Sequence, residues 1–157
     1  MEENRPYRKN VGIVVYNSRG MVLTGERIQY PGIFQFPQGG MDEGEEPLET
    51  ARRELYEETG LKIAGEPTHE IQDWIHYDFP EDIPEHLKKY RGQSQKWFFF
   101  HWEGNPSTLQ LDLHTQEFLS VRWYELSQLV EDIVIFKKMV YRRILEEARK
   151  HLPEIFG

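Results

Sequence analysis

The stretch Gly39–Leu61, GGMDEGEEPLETARRELYEETGL, decides how this chain is read. Pro47 suits the first turn of a helix, where its missing N–H costs nothing, and Gly60 suits a C-terminal cap. The segment therefore predicts a helix over 46–60. On it, Leu48, Ala51 and Leu55 form an apolar stripe for packing on a sheet. Glu54, Glu57 and Glu58 stand at i, i+3 and i+4, so their carboxylates project together from the adjacent side. Three carboxylates in one place repel one another. A hard divalent cation such as Mg2+ removes that repulsion, because it takes oxygen ligands and bridges to substrate phosphates. Gly39, Gly40 and Gly44 predict a flexible loop ahead of the helix that can bring backbone close to a ligand. The plain alternative, a solvated acidic helix face, is common in globular proteins. It does not explain the glycine loop.

The rest of the chain narrows the setting. Its 157 residues suffice for one domain spanning 1–157 with a single sizeable core, and 13% aromatic residues favour a globular chain. No apolar run reaches the roughly 20 residues of a membrane span, and the start, MEENRPYRKN, lacks the apolar core of a secretory signal. The absence of cysteine excludes disulfides, zinc–thiolate sites and a cysteine nucleophile, which fits a cytoplasmic location. A net charge of −8 argues against broad nucleic-acid binding, yet much of it lies in and around the stretch quoted above, where bound cations would reverse the local field. The six histidines include no pair at the i, i+4 spacing of a helical zinc site.

Outside the quoted stretch, Val11–Tyr16 and Met21–Thr24 flank the turn residues Asn17-Ser18-Arg19-Gly20 and predict a hairpin. Brief or longer strands are expected over 33–36, 70–79, 96–102 and 118–123, with a charged loop or lid over 80–93. Phe136, Val140, Ile144, Leu145 and Ala148 predict an amphipathic terminal helix over 135–151. Strands and helices mixed along the chain favour one α/β unit.

Gly39, Glu45, Arg53, Glu54, Leu55, Glu57, Glu58, Gly60 and Leu61 together resemble the Nudix box, with every fixed position filled. The resemblance implies a Nudix-type α/β/α sandwich with a mixed central β-sheet. It also implies an enzyme that hydrolyses a nucleoside diphosphate linked to another group, with Mg2+ or Mn2+. Glu57, Glu58 and Glu54 are then the candidate metal ligands, Glu54 serving as a ligand or as the base for the attacking water. A backbone carbonyl at Gln38 or Gly39 completes the shell. Glu45 and Arg53 brace the glycine loop against the helix, alongside the box glycines Gly39 and Gly60. Glu117, before Phe118, is a fourth catalytic and metal-binding candidate, set against the plainer reading of a strand-edge surface glutamate.

Further segments, Tyr7-Arg8-x-Asn10-Val11-Gly12, Gln35-Phe36-Pro37-Gln38-Gly39-Gly40, Gly92-Gln93-x-Gln95-Lys96-Trp97 and Phe136-Lys137-x3-Tyr141-Arg142-Arg143, resemble the bacterial branch of that family acting on RNA 5′ ends and dinucleoside polyphosphates. Arg8, Arg27 and Lys137 are candidates for phosphate oxygens, Gln95 for a base or phosphate, and Phe136 for stacking on a nucleobase. The competing readings are solvated surface cations and a core phenylalanine. The branch implies conversion of 5′-triphosphate RNA to 5′-monophosphate by water attack on phosphorus, with hydrolysis of dinucleoside oligophosphates as the alternative substrate choice. A non-catalytic nucleotide- or RNA-sensing module is the reading from another class, and metal-dependent turnover separates it from an enzyme. The loops at 29–33 and 80–91 depart from the branch and leave base preference open.

Overall fold

Two runs with no polar alternation, Val11–Tyr16 and Trp97–Phe100, are the signature of strands covered on both faces. In a computed structural model, which describes residues 4–157, they are the central parallel pair of an eight-stranded mixed sheet. Strand β1 (Tyr7–Tyr16) runs beside β7 (Gly92–His101) in unbroken register from Tyr7 opposite Gly92 to Tyr16 opposite His101. Residues 1–3 of the start, considered above for a secretory signal, lie outside the described residues.

Helix α1 (Pro47–Thr59) covers one face of the sheet, packing Ala51 and Leu55 on Val11, Ile13, Val15, Phe98 and Phe100. Helices α2 (Leu126–Asp132) and α3 (Lys138–His151) cover the other, where Leu129, Val140, Tyr141 and Ile144 meet Val14, Trp97 and Phe99. This is the expected α/β/α sandwich. Gly12 is required by close approach, since a Cβ there would sit 2.3 Å from the Trp97 ring.

Several expectations need correction. The predicted hairpin survives only at its turn. Asn17 Oδ1 accepts the N–H groups of Arg19 and Met21, but β1 pairs with β2 (Met21–Arg27) only at Tyr16 opposite Val22. Farther along that edge Asn10–Gly12 of β1 pair with β4 (Gln38–Gly40), while β2 runs along β8 (Phe118–Glu125). Strand β3 is short, at Phe34–Gln35.

The strand expected over 70–79 is two pieces on β7, β5 (His69–Glu70) and β6 (Ile75–Asp78), whose registers differ by two residues. The excess backbone at 72–74 bulges out. Lys96 Nζ donates to the Gln72 carbonyl at 2.6 Å, and the Arg143 guanidinium holds Asp73 at 2.6 and 3.2 Å. Strand β7 begins at Gly92, so the connecting loop is shorter than 80–93 and carries one 3-10 turn at Glu85–Leu87. The terminal helix starts at Lys138, because 135–137 form a 3-10 turn that directs Phe136 toward Tyr77, 5.8 Å between ring centroids. Sequence reasoning passed over α2, although Leu126, Leu129, Val130 and Ile133 have helical spacing and Glu125 caps it by accepting the Gln128 N–H. A four-residue turn of helix, α4 (Pro153–Phe156), ends the chain.

Gly12→Ala is expected to lower unfolding free energy by about 1–3 kcal/mol, the range for forcing an added carbon into a packed interior. Gly65→Ala, where an added Cβ has nothing within 4 Å, should stay within about 0.5 kcal/mol. Urea unfolding of the two variants checks the contrast.

Candidate active site

The site is built from the corner between β3 and β4, the first face of α1, and the residue ahead of β8. The corner is fixed from both layers: Phe36 N–H donates to the buried Tyr141 hydroxyl of α3, and Ile13 N–H donates to the Pro37 carbonyl, both at 3.0 Å. Gly39 and Gly40 are therefore strand residues paired with β1, not a flexible loop, and neither has a positive φ. They are glycines because side chains crowd them. A Cβ on Gly39 would lie 1.8 Å from the Glu54 carboxylate, and one on Gly40 would lie 2.2 Å from the Arg8 guanidinium. Gly44 and Gly60 do have positive φ, and Gly60 closes α1 by donating to the Tyr56 carbonyl at 2.8 Å. At the other end Pro47 opens the helix, and Glu49 reaches back to the Glu46 N–H at 2.8 Å.

Arg53 ties these parts together. Its Nε and Nη2 grip Glu45 at 2.7 and 2.9 Å, Nη1 reaches Glu54 at 2.7 Å and Glu57 at 3.3 Å, and Nη2 also donates to the Gly40 carbonyl at 3.1 Å. The hydrogen bond from Arg53 is the main reason the Glu45 carboxyl is pulled down to about 2. Glu45 also accepts from the Asp42 N–H and the Thr50 hydroxyl, so it anchors the turn that leads into α1.

The remaining carboxylates are held under strong repulsion and burial. Glu58 is 6% exposed and accepts the Gln38 N–H at 3.2 Å. Burial pushes its carboxyl well above the usual range, helped by a hydrogen bond with Glu117 and by the charges of Glu117 and Glu54. Burial likewise raises Glu54 to about 7, against the pull of Arg53 and with the push of Glu57 and Glu117. Glu117 is exposed, with its carbonyl pinned by the Ile28 N–H at 3.1 Å beside a register shift between β2 and β8.

All four glutamates line one cleft of about 720 Å³, together with Arg8, Arg27, Phe136 and Lys137. Lys137 is 6% exposed and donates to Gln35 Oε1 at 3.2 Å; burial, then the charge of Arg27, lowers its ammonium to about 7 despite Glu58. Arg8 donates to Gln93 at 2.8 Å, and Arg27 lies over the Tyr30 ring at 5.7 Å.

Gln95 is not brought to the cleft wall. It is buried, and its amide N–H groups go to Asn10 at 2.8 Å and Gln38 at 3.3 Å. Two residues that sequence reasoning did not single out line the cleft in its place, Asn10 and Gln93. Asn10 is 1% exposed and its Nδ2 has no protein partner. The signal was present in the strands. Arg8 and Asn10 on β1 sit opposite Gln93 and Gln95 on β7, a polar patch at alternate positions where the same face otherwise buries Val14, Trp97 and Phe99.

The donor set suits a hard divalent cation. Glu54, Glu57, Glu58 and Glu117 supply oxygen only, burial raises the Glu54 and Glu58 carboxyls so that a cation would compete with protons there, and the Gly39 backbone lies against Glu54 with no side chain between.

The NUDIX domain pattern matches residues 6–144 of this chain. An RNA pyrophosphohydrolase of Bartonella bacilliformis is 44% identical over 158 residues, covering 92% of each chain. One from Brucella anthropi is 45% identical over 164 residues, covering 96% of this chain and 93% of its own. Among solved structures, a MutT protein from Methanosarcina mazei Go1 superposes with a TM-score of 0.68 at 17% identity, covering 92% of this chain and 97% of its own. The E. coli dihydroneopterin triphosphate pyrophosphohydrolase gives 0.65 at 18%, covering 88% and 96%. At that identity these two structures establish the shared fold.

The raised carboxyls have a consequence for metal-free protein. Folded Glu54 and Glu58 keep protons that the unfolded chain releases near 4.5, so the folded state binds more protons and stability falls as pH rises from about 4.5 toward 7. Glu45 acts in the opposite sense: its contribution is present above 4.5 and lost as pH falls toward 2. Urea unfolding in chelator at pH 5, 6 and 7.5 should show a decline for wild type that is shallower in Glu54→Gln. Equal slopes would contradict the assignment.

Proposed function

The chain belongs to the NUDIX family, and from that premise we propose that it is a metal-dependent RNA 5′-pyrophosphohydrolase, working as one domain over 1–157. It converts 5′-triphosphate RNA ends to 5′-monophosphate by attack of water on phosphorus. The observation that carries this reading is the joint lining of one cleft by four glutamates and by three cations, Arg8, Arg27 and Lys137. Carboxylates alone would repel an oligophosphate, and cations alone would bind it without activating water. Curated relatives named RNA pyrophosphohydrolase, at 44–45% identity over most of both chains, support the substrate class. A cytoplasmic location follows from that class.

In this reading Glu57, Glu58, Glu54 and Glu117, with the backbone carbonyls of Gln38 and Gly39, hold Mg2+, or Mn2+ in its place. The bound cation supplies neutralisation of phosphate oxygens and a more acidic water. Arg53 keeps Glu54 and Glu57 in position while Glu45 keeps Arg53 there, so the ligands are oriented before metal arrives. Glu54 is alternatively the base that takes the proton from the attacking water. Arg8 and Arg27 present planar forks to oxygens left exposed, and Lys137 adds a point charge from a buried position. Asn10 Nδ2 offers a neutral donor beside them. Phe136 stacks on the first nucleobase.

The direct test is Mg2+-dependent turnover of 5′-triphosphate RNA and of diadenosine tetraphosphate, in parallel, by wild type and Glu57→Gln. The expected result is a higher kcat/KM on RNA and a loss on the order of 10²–10³-fold in the variant, the scale for removing one preorganised electrostatic group. A preference for diadenosine tetraphosphate would move the function to nucleotide clearance. Binding of either substrate without turnover, with Mg2+ or Mn2+, would make the chain a sensing module.

A further inference from the structure

Histidines scattered along the sequence can still meet in space. His69 lies on β5, whereas Glu147 and His151 lie one turn apart near the end of α3. The fold brings them together: His69 Nε2 is 2.9 Å and His151 Nε2 is 3.7 Å from the same oxygen of Glu147. One ligand atom from each of the three falls within 4.8 Å of the others. Four-coordinate zinc, with bonds of about 2.0–2.1 Å, requires ligand atoms about 3.3 Å apart, a spacing the three residues reach once one side chain reorients.

We propose that His69, Glu147 and His151 form a second metal site, separate from the cleft, that takes a borderline first-row dication of the Zn2+ class. Two imidazoles and one carboxylate are the ligand set for zinc, and they are a poor one for Mg2+, which prefers oxygen. The two metal sites of the molecule thus differ in hardness.

The surroundings favour the assignment in three ways. Arg143 Nε holds the far oxygen of Glu147 at 3.4 Å, which leaves the near oxygen facing both imidazoles. The charge of Arg143 is matched by Asp73, gripped at 2.6 and 3.2 Å, so Arg143, Asp73 and Glu147 together carry one net negative charge. His69 is held against the Phe99 ring, 5.6 Å between centroids, so one ligand is fixed before an ion arrives.

The two imidazoles stack at 4.2 Å and 19°. Lone pairs lie in the ring planes, so stacked rings cannot both point at one ion. Coordination therefore swings His151 out of the stack. Its side chain, 40% exposed in the last turn of α3, has room to do so, whereas that of His69, at 16%, does not. The ion would brace β5 against the end of α3. The cleft residue Lys137 precedes the other end of that helix, about 20 Å away at 1.5 Å per residue. The site is thus a structural brace, not part of the hydrolytic chemistry.

The test uses Zn2+ as the probe on full-length protein stripped of metal and then saturated with Mg2+. Titration is followed by calorimetry and by the side-chain 15N resonances of the histidines. The proposal expects the His69 and His151 resonances to move with one equivalent of Zn2+. It also expects affinity at this step to fall at least tenfold in His151→Ala and to persist in Glu57→Gln. Thermal unfolding of His151→Ala without Zn2+ should match wild type, while added Zn2+ should raise the midpoint in wild type only. The resonance shifts decide the matter in wild type even if a variant folds poorly. Zn2+ binding that moves neither imidazole, or that disappears in Glu57→Gln, would assign it to the cleft carboxylates and overturn the proposal. So would the absence of any Zn2+ binding at 100 times the protein concentration.

Discussion

One guanidinium holds the candidate active site together. Arg53 joins Glu45 in the turn before α1, Glu54 and Glu57 on α1, and the Gly40 carbonyl on β4. The four partners belong to three local structures, and the geometry works only because Arg presents several donors in one plane. Lysine, a point charge, could not span the same set. A strand, a turn and a helix are thereby fixed relative to one another at the place where ligands must converge.

The sandwich supplies what that hub cannot. Two apolar strands, β1 and β7, lie parallel with both faces covered, so the edge carrying β4 is set by a rigid core. From the opposite layer Tyr141 holds the Phe36 N–H, and from its own layer α1 presents Glu58 to the Gln38 N–H. Carboxyls are thus placed where burial and mutual repulsion make their ionised forms costly. In the proposed function such a cluster would exchange protons for a cation, which would couple metal uptake to folding and to pH.

Much of this was legible in the sequence, for a physical reason. Helix α1 is specified locally by Pro47, Gly60 and its apolar stripe, so its bounds were off by only a residue at each end. The glycines were legible as positions but not as causes. Gly39 and Gly40 are small because Glu54 and Arg8 press on them, a tertiary contact that no local pattern encodes. The same limit applies to the Gln72–Trp74 bulge, to the capture of the β1 edge by β4, and to Gln95, whose bonds are spent on Asn10 and Gln38. Helix α2 was readable and simply passed over. The pairing of Glu147 and His151 one helical turn apart was readable, but their meeting with His69 was not, because a strand and a helix 78 residues apart in sequence bring it about.

Glu54 and Glu58, whose carboxyls burial raises, would have to give up protons to bind a divalent cation in the proposed function. Calorimetry of Mg2+ binding at pH 7, repeated in buffers of different ionisation enthalpy, counts the protons released. Proton release that falls when Glu58 is changed to Gln is the predicted result. Mg2+ binding with no proton release, or with release unchanged in Glu58→Gln, would contradict it.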